Sequence, residues 1–251
     1  MKKMACIVIL SVLTGSGFLF SQDDKPIDAS KPTNFYSLVD NTLEFISRGE
    51  GGNLFGYRGK LVYAPSEAHL LLGELPVHYN DQTGKFGLGD IRIRYFWLPY
   101  KNYTRFVGAF GPSLDIIVPT GRIKNGLGTG RWFISPGISA GLMFNEYFQI
   151  FPVLSYQYMS KPGNPEYALS DQAFHGMSLQ FIIALAISEK AFFNLTPMFN
   201  WNDFNDINSL VFATEVLFGY QVLPKGQISA YYNGNFSSNT HQLSVGYTFF
   251  F

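Results

Sequence analysis

Apolar and polar residues alternate with a period of two in the last segment of the chain, residues 240–251. The apolar positions are Leu243, Val245, Tyr247, Phe249 and Phe251. The positions between them hold small or polar residues: Gln242, Ser244, Gly246 and Thr248. This alternation is typical of a β-strand with one apolar face. Phe250 belongs to the polar face by its position, and we expect its side chain to point to the inside of the folded sheet and to close one end of it.

The same alternation recurs along the chain and predicts twelve strands. They span residues 34–47, 56–64, 67–79, 88–99, 103–118, 131–144, 147–159, 174–187, 191–201, 209–221, 227–236 and 240–251. Tight turns alternate with longer connections at residues 80–87, 119–130, 160–173 and 202–208. The first segment is the least regular, and residues 34–47 are also compatible with a short helix that plugs the mouth of a barrel.

The composition indicates what the apolar faces touch. Aromatic residues make up 17% and charged residues 14% of the chain, whereas soluble domains carry about 25% charged residues. Beyond residue 20, no apolar run approaches the ~18 to 20 residues of a membrane helix. The polar faces are rich in Gly, Ser, Ala and Asn, and not in the Lys and Glu of a water-exposed sandwich. We therefore predict an all-β fold, a single transmembrane antiparallel up-and-down β-barrel of about 12 strands with both chain ends in the periplasm.

The N-terminal residues predict export. Lys2 and Lys3 precede an apolar run from Met4 to Phe20, and polar residues follow. This order is that of a secretory signal peptide, which we assign to residues 1–21; an N-terminal membrane helix is the alternative. Residues 22–33 then form a short periplasmic segment, and residues 34–251 form the barrel. The predicted location is the bacterial outer membrane, with outer-membrane lipid and the barrel-assembly machinery as partners.

Cysteine usage and charge narrow the chemistry. The single cysteine, Cys6, lies in the predicted signal peptide, so the mature chain would have neither disulfides nor a thiolate metal site. Lys+Arg and Asp+Glu both number 18, and no concentrated basic face suggests a nucleic-acid partner. The histidines are too widely spaced in sequence to signal a metal site, and no phosphate-binding loop qualifies. We therefore predict no cofactor and no metal.

Three glycine-containing motifs mark the middle of the chain. They are Gly-Leu-Gly-Asp from Gly87 to Asp90, Pro-Thr-Gly from Pro119 to Gly121 and Leu-Gly-Thr-Gly from Leu127 to Gly130. With these motifs and its aromatic last strand, the chain resembles the outer-membrane transporters grouped as "MetA-pathway of phenol degradation". The resemblance covers roughly residues 85–160. It implies a passive outer-membrane channel for small molecules, including hydrophobic or aromatic ones.

The alternation also places charged side chains on the inner face of the predicted barrel. The candidates for selecting solutes in the lumen are Lys60, Glu74, Arg92, Arg94, Arg105, Asp115 and Glu215. Arg58 shares this face. A charge in a narrow lumen needs a partner or water, because its desolvation is costly. A ladder of such charges would select solutes, whereas an ion-pair network that closes a narrow barrel is the structural alternative.

Prolines interrupt the predicted wall. Pro112, Pro136 and Pro152 fall on the lipid face of three consecutive strands, and Pro197 falls on the lipid face of a later one. A proline removes a donor from a ladder that has no free edge. We expect a bulge at each site and hypothesise a lateral opening for hydrophobic solutes; bulges that only bend the strands are the alternative.

Two other function classes stay open at the sequence level. His175 and His241 fall near the outer rim, and Ser237 and Ser238 lie close to His241, so a lipid-hydrolysing barrel is one alternative. Catalysis needs a hydroxyl within reach of the imidazole, and the serines of HGMS and HQLS fall on the opposite face. We therefore predict a channel and no enzyme. A non-conducting barrel that binds partners through residues 119–130 and 160–173 is the other alternative.

The aromatic residues that end the last strand carry one more hypothesis. Tyr247, Phe249 and Phe251 are spaced two apart on the predicted lipid face. They resemble the terminal signal by which the assembly machinery recognises barrel proteins. We predict that they serve as this signal.

Overall fold

The computed structural model describes residues 27–167 and 170–251, and the predicted signal peptide, residues 1–21, lies outside them. The strands are β1 (Leu38–Ser47), β2 (Asn53–Ser66), β3 (His69–Asn80), β4 (Lys85–Leu88), β5 (Ile91–Trp97), β6 (Tyr100–Lys101), β7 (Val107–Val118), β8 (Phe133–Met143), β9 (Phe148–Met159), β10 (Phe174–Ala186), β11 (Ala191–Trp201), β12 (Leu210–Leu223), β13 (Gly226–Asn235) and β14 (Thr240–Phe250). Short 3-10 turns lie at Gly49–Gly51, Ile123–Asn125, Pro165–Tyr167 and Ile207–Ser209. Within the described ranges, no helix is long and apolar enough to cross a membrane.

The strands form one closed antiparallel barrel. β1 pairs with β14 on one side and with β2 on the other, so the first and last strands close the sheet. β4 and β5 both pair with β3 and are two halves of one barrel strand, interrupted at Gly89 and Asp90. The wall therefore has 12 strands, which confirms the predicted fold class. Closure gives the first and last barrel strands, β1 and β14, a hydrogen-bonded partner on both sides, as a strand exposed to lipid requires.

The first predicted segment is a strand and not a plug helix. β1 begins at Leu38, and its partners on β14 and β2 follow in unbroken register as far as Ser47. Polar residues occur on both faces of this strand, which explains its irregular sequence pattern. Its pairing on both sides is what closes the barrel.

Side chains alternate between the outer wall and the lumen as the sequence predicts. On β14, Leu243 and Val245 are 56% and 59% exposed, whereas Ser244 and Phe250 are 7% and 3% exposed. Phe250 points inward, as expected, and packs edge-on against Tyr36 with 5.8 Å between ring centroids. The exposed large side chains of the other strands are likewise aliphatic and aromatic. An outer wall of this composition fits a lipid environment.

The two ends of the barrel differ in their connections. The end that carries residues 27–37 and Phe251, called the turn end here, has short connections such as residues 67–68 and 224–225. The opposite end, the loop end, carries the long connections 119–132 and 160–173. The long connection expected at residues 80–87 is wrong, because β3 and β4 pair as far as Asn80 and Lys85. In bacterial barrels the end with short turns faces the periplasm.

The bulges expected at the prolines are absent. The register of β8 with β7 and β9 is the same on both sides of Pro136, and that of β9 with β8 and β10 is the same on both sides of Pro152. Pro112 pairs in register with Ile138. The β8–β9 ladder only skips pairs at Pro136 and Pro152, because proline lacks the N–H group but still fits an extended backbone. Register shifts occur nearer to strand ends, at Tyr63/Ser66, Val107/Ala109 and Gln221/Leu223.

An apolar plug fills one side of the turn end. Phe35 is 8% exposed and packs with Leu98 and Ala109, and Phe96 lies against the same cluster. Lys101 Nζ lies 4.5 Å above the centre of the Phe35 ring and donates to the Thr33 carbonyl oxygen at 2.7 Å. Because Ala109 and Phe96 belong to the inner face, residues 33–37 sit inside the barrel mouth beside β5 and β7.

Candidate functional site

A charged cluster occupies the inner face of β1 to β7. The antiparallel register places Lys60 opposite Glu74 and Glu74 opposite Arg92. The next pair of strands places Arg94 opposite Asp115. Side chains that lie opposite each other on neighbouring strands are about 5 Å apart at their Cβ atoms. The charges therefore alternate in sign around this part of the lumen wall.

Glu44 is the centre of the first half of the cluster. Its carboxylate accepts hydrogen bonds from Arg58 Nε at 3.1 Å and Gln242 Nε2 at 2.6 Å, and it lies 2.6 Å from His78 Nε2. The Glu44 side chain is fully buried. Since these partners lie on β2, β14 and β3, one carboxylate links four strands across the point where the barrel closes.

Glu74 and Asp115 organise the second half. Arg58 Nη1 lies 3.0 Å and Lys60 Nζ 3.8 Å from the Glu74 carboxylate. Arg92 Nε donates to both Asp115 oxygens at 2.9 and 3.1 Å, and its Nη2 also contacts Asp115. Arg94 Nη2 donates to Asp115 at 2.9 Å. Arg92 thus makes a forked contact of the kind that fixes a guanidinium in one orientation.

The basic and acidic side chains differ in their access to the lumen. The side chains of Arg92, Arg94 and Lys60 are 30%, 29% and 29% exposed. Those of Glu74 and Asp115 are 10% and 16% exposed. The carboxylate side chains are therefore less accessible than the basic side chains that contact them. Two further inward carboxylates, Asp40 and Glu215, are half-buried.

The opposite side of the lumen wall is uncharged along most of its length. It carries buried hydroxyl groups on β8 to β11: Ser135, Ser139, Ser155, Ser178 and Thr196. Ser135 faces the lumen because it pairs with Asp115, and Thr196 does so because it pairs with Glu215. Glu215 accepts a hydrogen bond from Asn233 Nδ2 at 3.1 Å. Small hydroxyl-bearing residues leave room beside the long arginine and lysine side chains.

The structure brings together most of the predicted lumen residues. Lys60, Glu74, Arg92, Arg94 and Asp115 join one cluster, and Glu215 lies on the inner face of β12. Arg105 does not join them. It is exposed in the turn before β7, because this strand begins only at Val107 and the alternation does not extend to residue 105.

Sequence reasoning missed two central members of the cluster. The alternation had already placed Gln242 on the polar face of the last strand, but without a role in the cluster; Glu44 lies on the inner face by its position in β1, so the alternation could have pointed to it too. Their role depends on the pairing of β1 with β14, which joins residues 198 positions apart. Nothing in the local sequence signals that contact.

The rim histidines bind tyrosine hydroxyls. His241 Nδ1 lies 2.9 Å from Tyr232 OH, and His175 Nδ1 contacts Tyr156 OH. Ser238 Oγ donates to Thr240 Oγ1 at 3.0 Å. The hydroxyl groups beside both imidazoles therefore belong to tyrosines of the outer wall. Among residues 27–167 and 170–251, no three His, Cys, Asp or Glu side chains form a group that could hold a metal ion.

Three solved outer-membrane channels share this architecture. The COG4313 outer membrane channel from Pseudomonas putida F1 has a TM-score of 0.60 at 14% identity, covering 90% of this chain and 99% of that one. A NanC porin has a TM-score of 0.59 at 9% identity, covering 84% of this chain and 98% of that one. The KdgM porin in complex with disordered oligogalacturonate has a TM-score of 0.56 at 10% identity, covering 85% of this chain and 99% of that one. The chain thus has the fold of outer-membrane β-barrels.

No protein-family model matches the sequence, and no curated protein sequence matches it either. The resemblance of the glycine-containing motifs to the phenol-degradation transporters therefore stays a prediction. The similarity to the solved channels extends over whole barrels at low identity, so it concerns the fold and not particular side chains.

Proposed function

We propose that the protein is a passive outer-membrane channel for small hydrophilic solutes, with a preference for anions. One observation carries the preference: the inward side chains of Lys60, Arg92 and Arg94 are 29%, 30% and 29% exposed, whereas those of their partners Glu74 and Asp115 are 10% and 16% exposed. A passing anion would meet the cations first. Rings or ladders of charged side chains are the usual source of ion preference in pores.

The forked pair of Arg92 and Asp115 supports this role. A guanidinium held by two bonds to one carboxylate keeps a fixed position, so the positive charge of Arg92 stays on the inner face. Arg94, held by one bond, adds a second cation on the same strand. The proposal thus combines the two alternatives of the sequence analysis, an ion-pair network and a solute-selecting surface, in one cluster.

The solved channels support transport of small solutes. One of them, the KdgM porin, is described in complex with oligogalacturonate, an anionic oligosaccharide. Hydrophobic or aromatic solutes, which the phenol-degradation resemblance implies, stay an alternative, because the wall opposite the charged cluster also carries the inward side chains of Phe151, Phe192 and Met198. A lateral opening at Pro112, Pro136 and Pro152 would serve such solutes, but the register there is unbroken.

Removing two lumen cations should abolish the anion preference. In Lys60→Gln/Arg94→Gln, the Arg92–Asp115 fork stays intact, so the barrel should fold. We expect the anion-to-cation permeability ratio to fall roughly tenfold, because each charge contributes ~1 kcal/mol at about 4 Å even in water. The reversal potential of purified protein in planar bilayers under a salt gradient measures this ratio.

The matched control is Arg105→Gln/Lys190→Gln, which removes two exposed cations outside the strands and should leave the ratio unchanged. A wild-type protein that conducts no ions would favour the non-conducting barrel. If both double variants conduct with the same anion-to-cation permeability ratio, the lumen cations are not the source of the anion preference. If Lys60→Gln/Arg94→Gln takes up an aromatic solute as fast as the wild type does, a route through the barrel wall is favoured.

We also propose that the outward aromatic residues at the end of β14 direct assembly. Tyr247 and Phe249 are exposed on the outer wall, and Phe251 follows the strand. Phe249→Ser/Phe251→Ser should lower the amount of folded barrel in the outer membrane several-fold, measured as the heat-modifiable band on a gel. Leu243→Ser/Val245→Ser, on the same face of the same strand, is the control. Equal loss in both variants would indicate that only apolar surface matters.

A further inference from the structure

The connection between β7 and β8, residues 119–132 and called the mouth loop here, folds into the barrel. Leu127 is 5% exposed. A Cβ atom added at Gly87 would lie 3.1 Å from Leu127 Cδ1. Gly87 pairs with His78, which faces the lumen, so that Cβ would also point inward. Leu127 therefore lies against the inner face of the wall.

Asp90 holds both arms of the mouth loop. Its carboxylate accepts hydrogen bonds from the Gly121 amide at 2.9 Å, from the Thr129 amide at 2.7 Å and from Thr129 Oγ1 at 3.0 Å. Asp90 itself occupies the break between β4 and β5. Hydrogen bonds to a charged acceptor are stronger than hydrogen bonds between two neutral groups.

The glycines of the three motifs allow the arms to approach. A Cβ atom at Gly121 would lie 2.5 Å from the Leu127 carbonyl oxygen and 2.8 Å from Gly128 Cα. Only glycine fits at this distance without displacing the backbone. Thr120 Oγ1 completes the anchor, donating to the Gly89 carbonyl oxygen at 2.7 Å. The residues that carried the family resemblance thus meet at one point.

Two side chains fasten the tip of the loop to the neighbouring strands. Arg48 Nη1 donates to the Gly126 carbonyl oxygen at 2.8 Å, and Asn80 Nδ2 donates to the Asn125 carbonyl oxygen at 3.0 Å. Asn80 is 1% exposed. The tip is therefore fastened at the loop ends of β1 and β3.

We propose that the mouth loop is a built-in size filter of the channel and that Asp90 is the positioning residue that keeps it inside the lumen. This inference rests on the proposed channel function. A solute entering from the loop end meets Leu127 on the β3–β4 side and has to pass along the hydroxyl-bearing wall of β8 to β11. The filter limits solute size, whereas the lumen cations act on charge.

The test uses a thiol at the buried tip. Because Cys6 is the single cysteine, Cys6→Ser/Leu127→Cys has one thiol, and adding Asp90→Ala should release it. We expect labelling by a membrane-impermeant maleimide to accelerate at least about tenfold, the scale of charge-assisted hydrogen bonds. In planar bilayers, Asp90→Ala alone should also raise the conductance and admit larger polyethylene glycols into the pore than the wild type does.

Asp81→Ala is the matched control. Asp81 lies in the neighbouring turn and accepts from the Asn53 amide at 2.6 Å, and it acts on the mouth loop only through the charge of Arg48. This bond lowers the pKa of Asp81, so it is ionised at neutral pH. Its removal should change neither labelling nor pore size. Asp90→Asn keeps one acceptor oxygen, so its labelling rate and pore size should lie between those of the wild type and Asp90→Ala. It replaces Asp90→Ala if the heat-modifiable mobility shows that Asp90→Ala does not fold.

The outcomes separate the two proposals. A conducting wild type whose labelling is unchanged by Asp90→Ala overturns the role of Asp90. Faster labelling without a larger exclusion limit overturns the filter. A wild type that does not conduct contradicts the proposed function and the filter together. Faster labelling with a larger exclusion limit, absent in Asp81→Ala, supports the proposal.

Discussion

Glu44→Ala should destabilise the barrel by about 3 kcal/mol, near the lower limit for breaking a buried ion pair. The Glu44 side chain is fully buried and contacts Arg58, His78 and Gln242. Its removal leaves His78 and Gln242 without these bonds in a buried site, where an unsatisfied polar group is costly. Arg58 still has its ion pair with Glu74 at 3.0 Å, which limits the loss of folding free energy.

The effect should be concentrated where the barrel closes, because Glu44 on β1 links β2, β3 and β14. Urea unfolding of the protein folded in lipid vesicles measures the change, with the heat-modifiable band as a second readout. The control is Glu215→Ala, which removes an inward but half-buried carboxylate that accepts from Asn233. Equal destabilisation by both changes would contradict a special role of Glu44 in closure.

Phe35→Ala should release residues 27–37 from the turn end and raise the conductance. Phe35 is 8% exposed within an apolar cluster, and Phe→Ala changes at such sites cost about 3 to 5 kcal/mol. The cost falls mainly on docking of the segment, because β1 and its two ladders begin only at Leu38. The barrel itself should therefore stay folded.

Cleavage before Asp28 by endoproteinase Asp-N measures this release, since the Asp28 N–H donates to Tyr36 OH at 2.9 Å within the docked segment. We expect rapid cleavage in Phe35→Ala and slow cleavage in the wild type, with single-channel conductance recorded in parallel. Phe86→Ala is the control, because Phe86 is 72% exposed on the outer wall. Wild-type conductance combined with rapid cleavage would show that the segment docks without narrowing the lumen.

The alternation of residue types predicted most of the fold. It located β2, β3, β5 and the strands from β7 to β14, their inward and outward faces and the inward position of Phe250, because one face of each strand meets lipid and the other the lumen. It failed where that contrast is weak. In β1, Asp40, Asn41 and Thr42 are polar on both faces, so strand and helix were both compatible with the sequence.

The prolines and Arg105 show a second limit. Alternation assigns a face but not a register or a strand end, so it could not show that Pro136 and Pro152 leave the register intact. It also extended β7 by four residues and placed Arg105 in the lumen. Both errors arise because strand ends and ladder bonds depend on the partner strand and not on the local sequence.

The sequence by itself determined the class of fold, the lipid-facing wall and the inward position of Lys60, Glu74, Arg92, Arg94, Asp115 and Glu215, since these follow from the two-residue period of a strand. Only the tertiary structure decided which charges pair, which of them reach the accessible lumen, and how the motifs of Asp90, Gly121 and Gly128 meet in one loop anchor. Those contacts join residues far apart in sequence. They exist only once the last strand pairs with the first and the sheet closes.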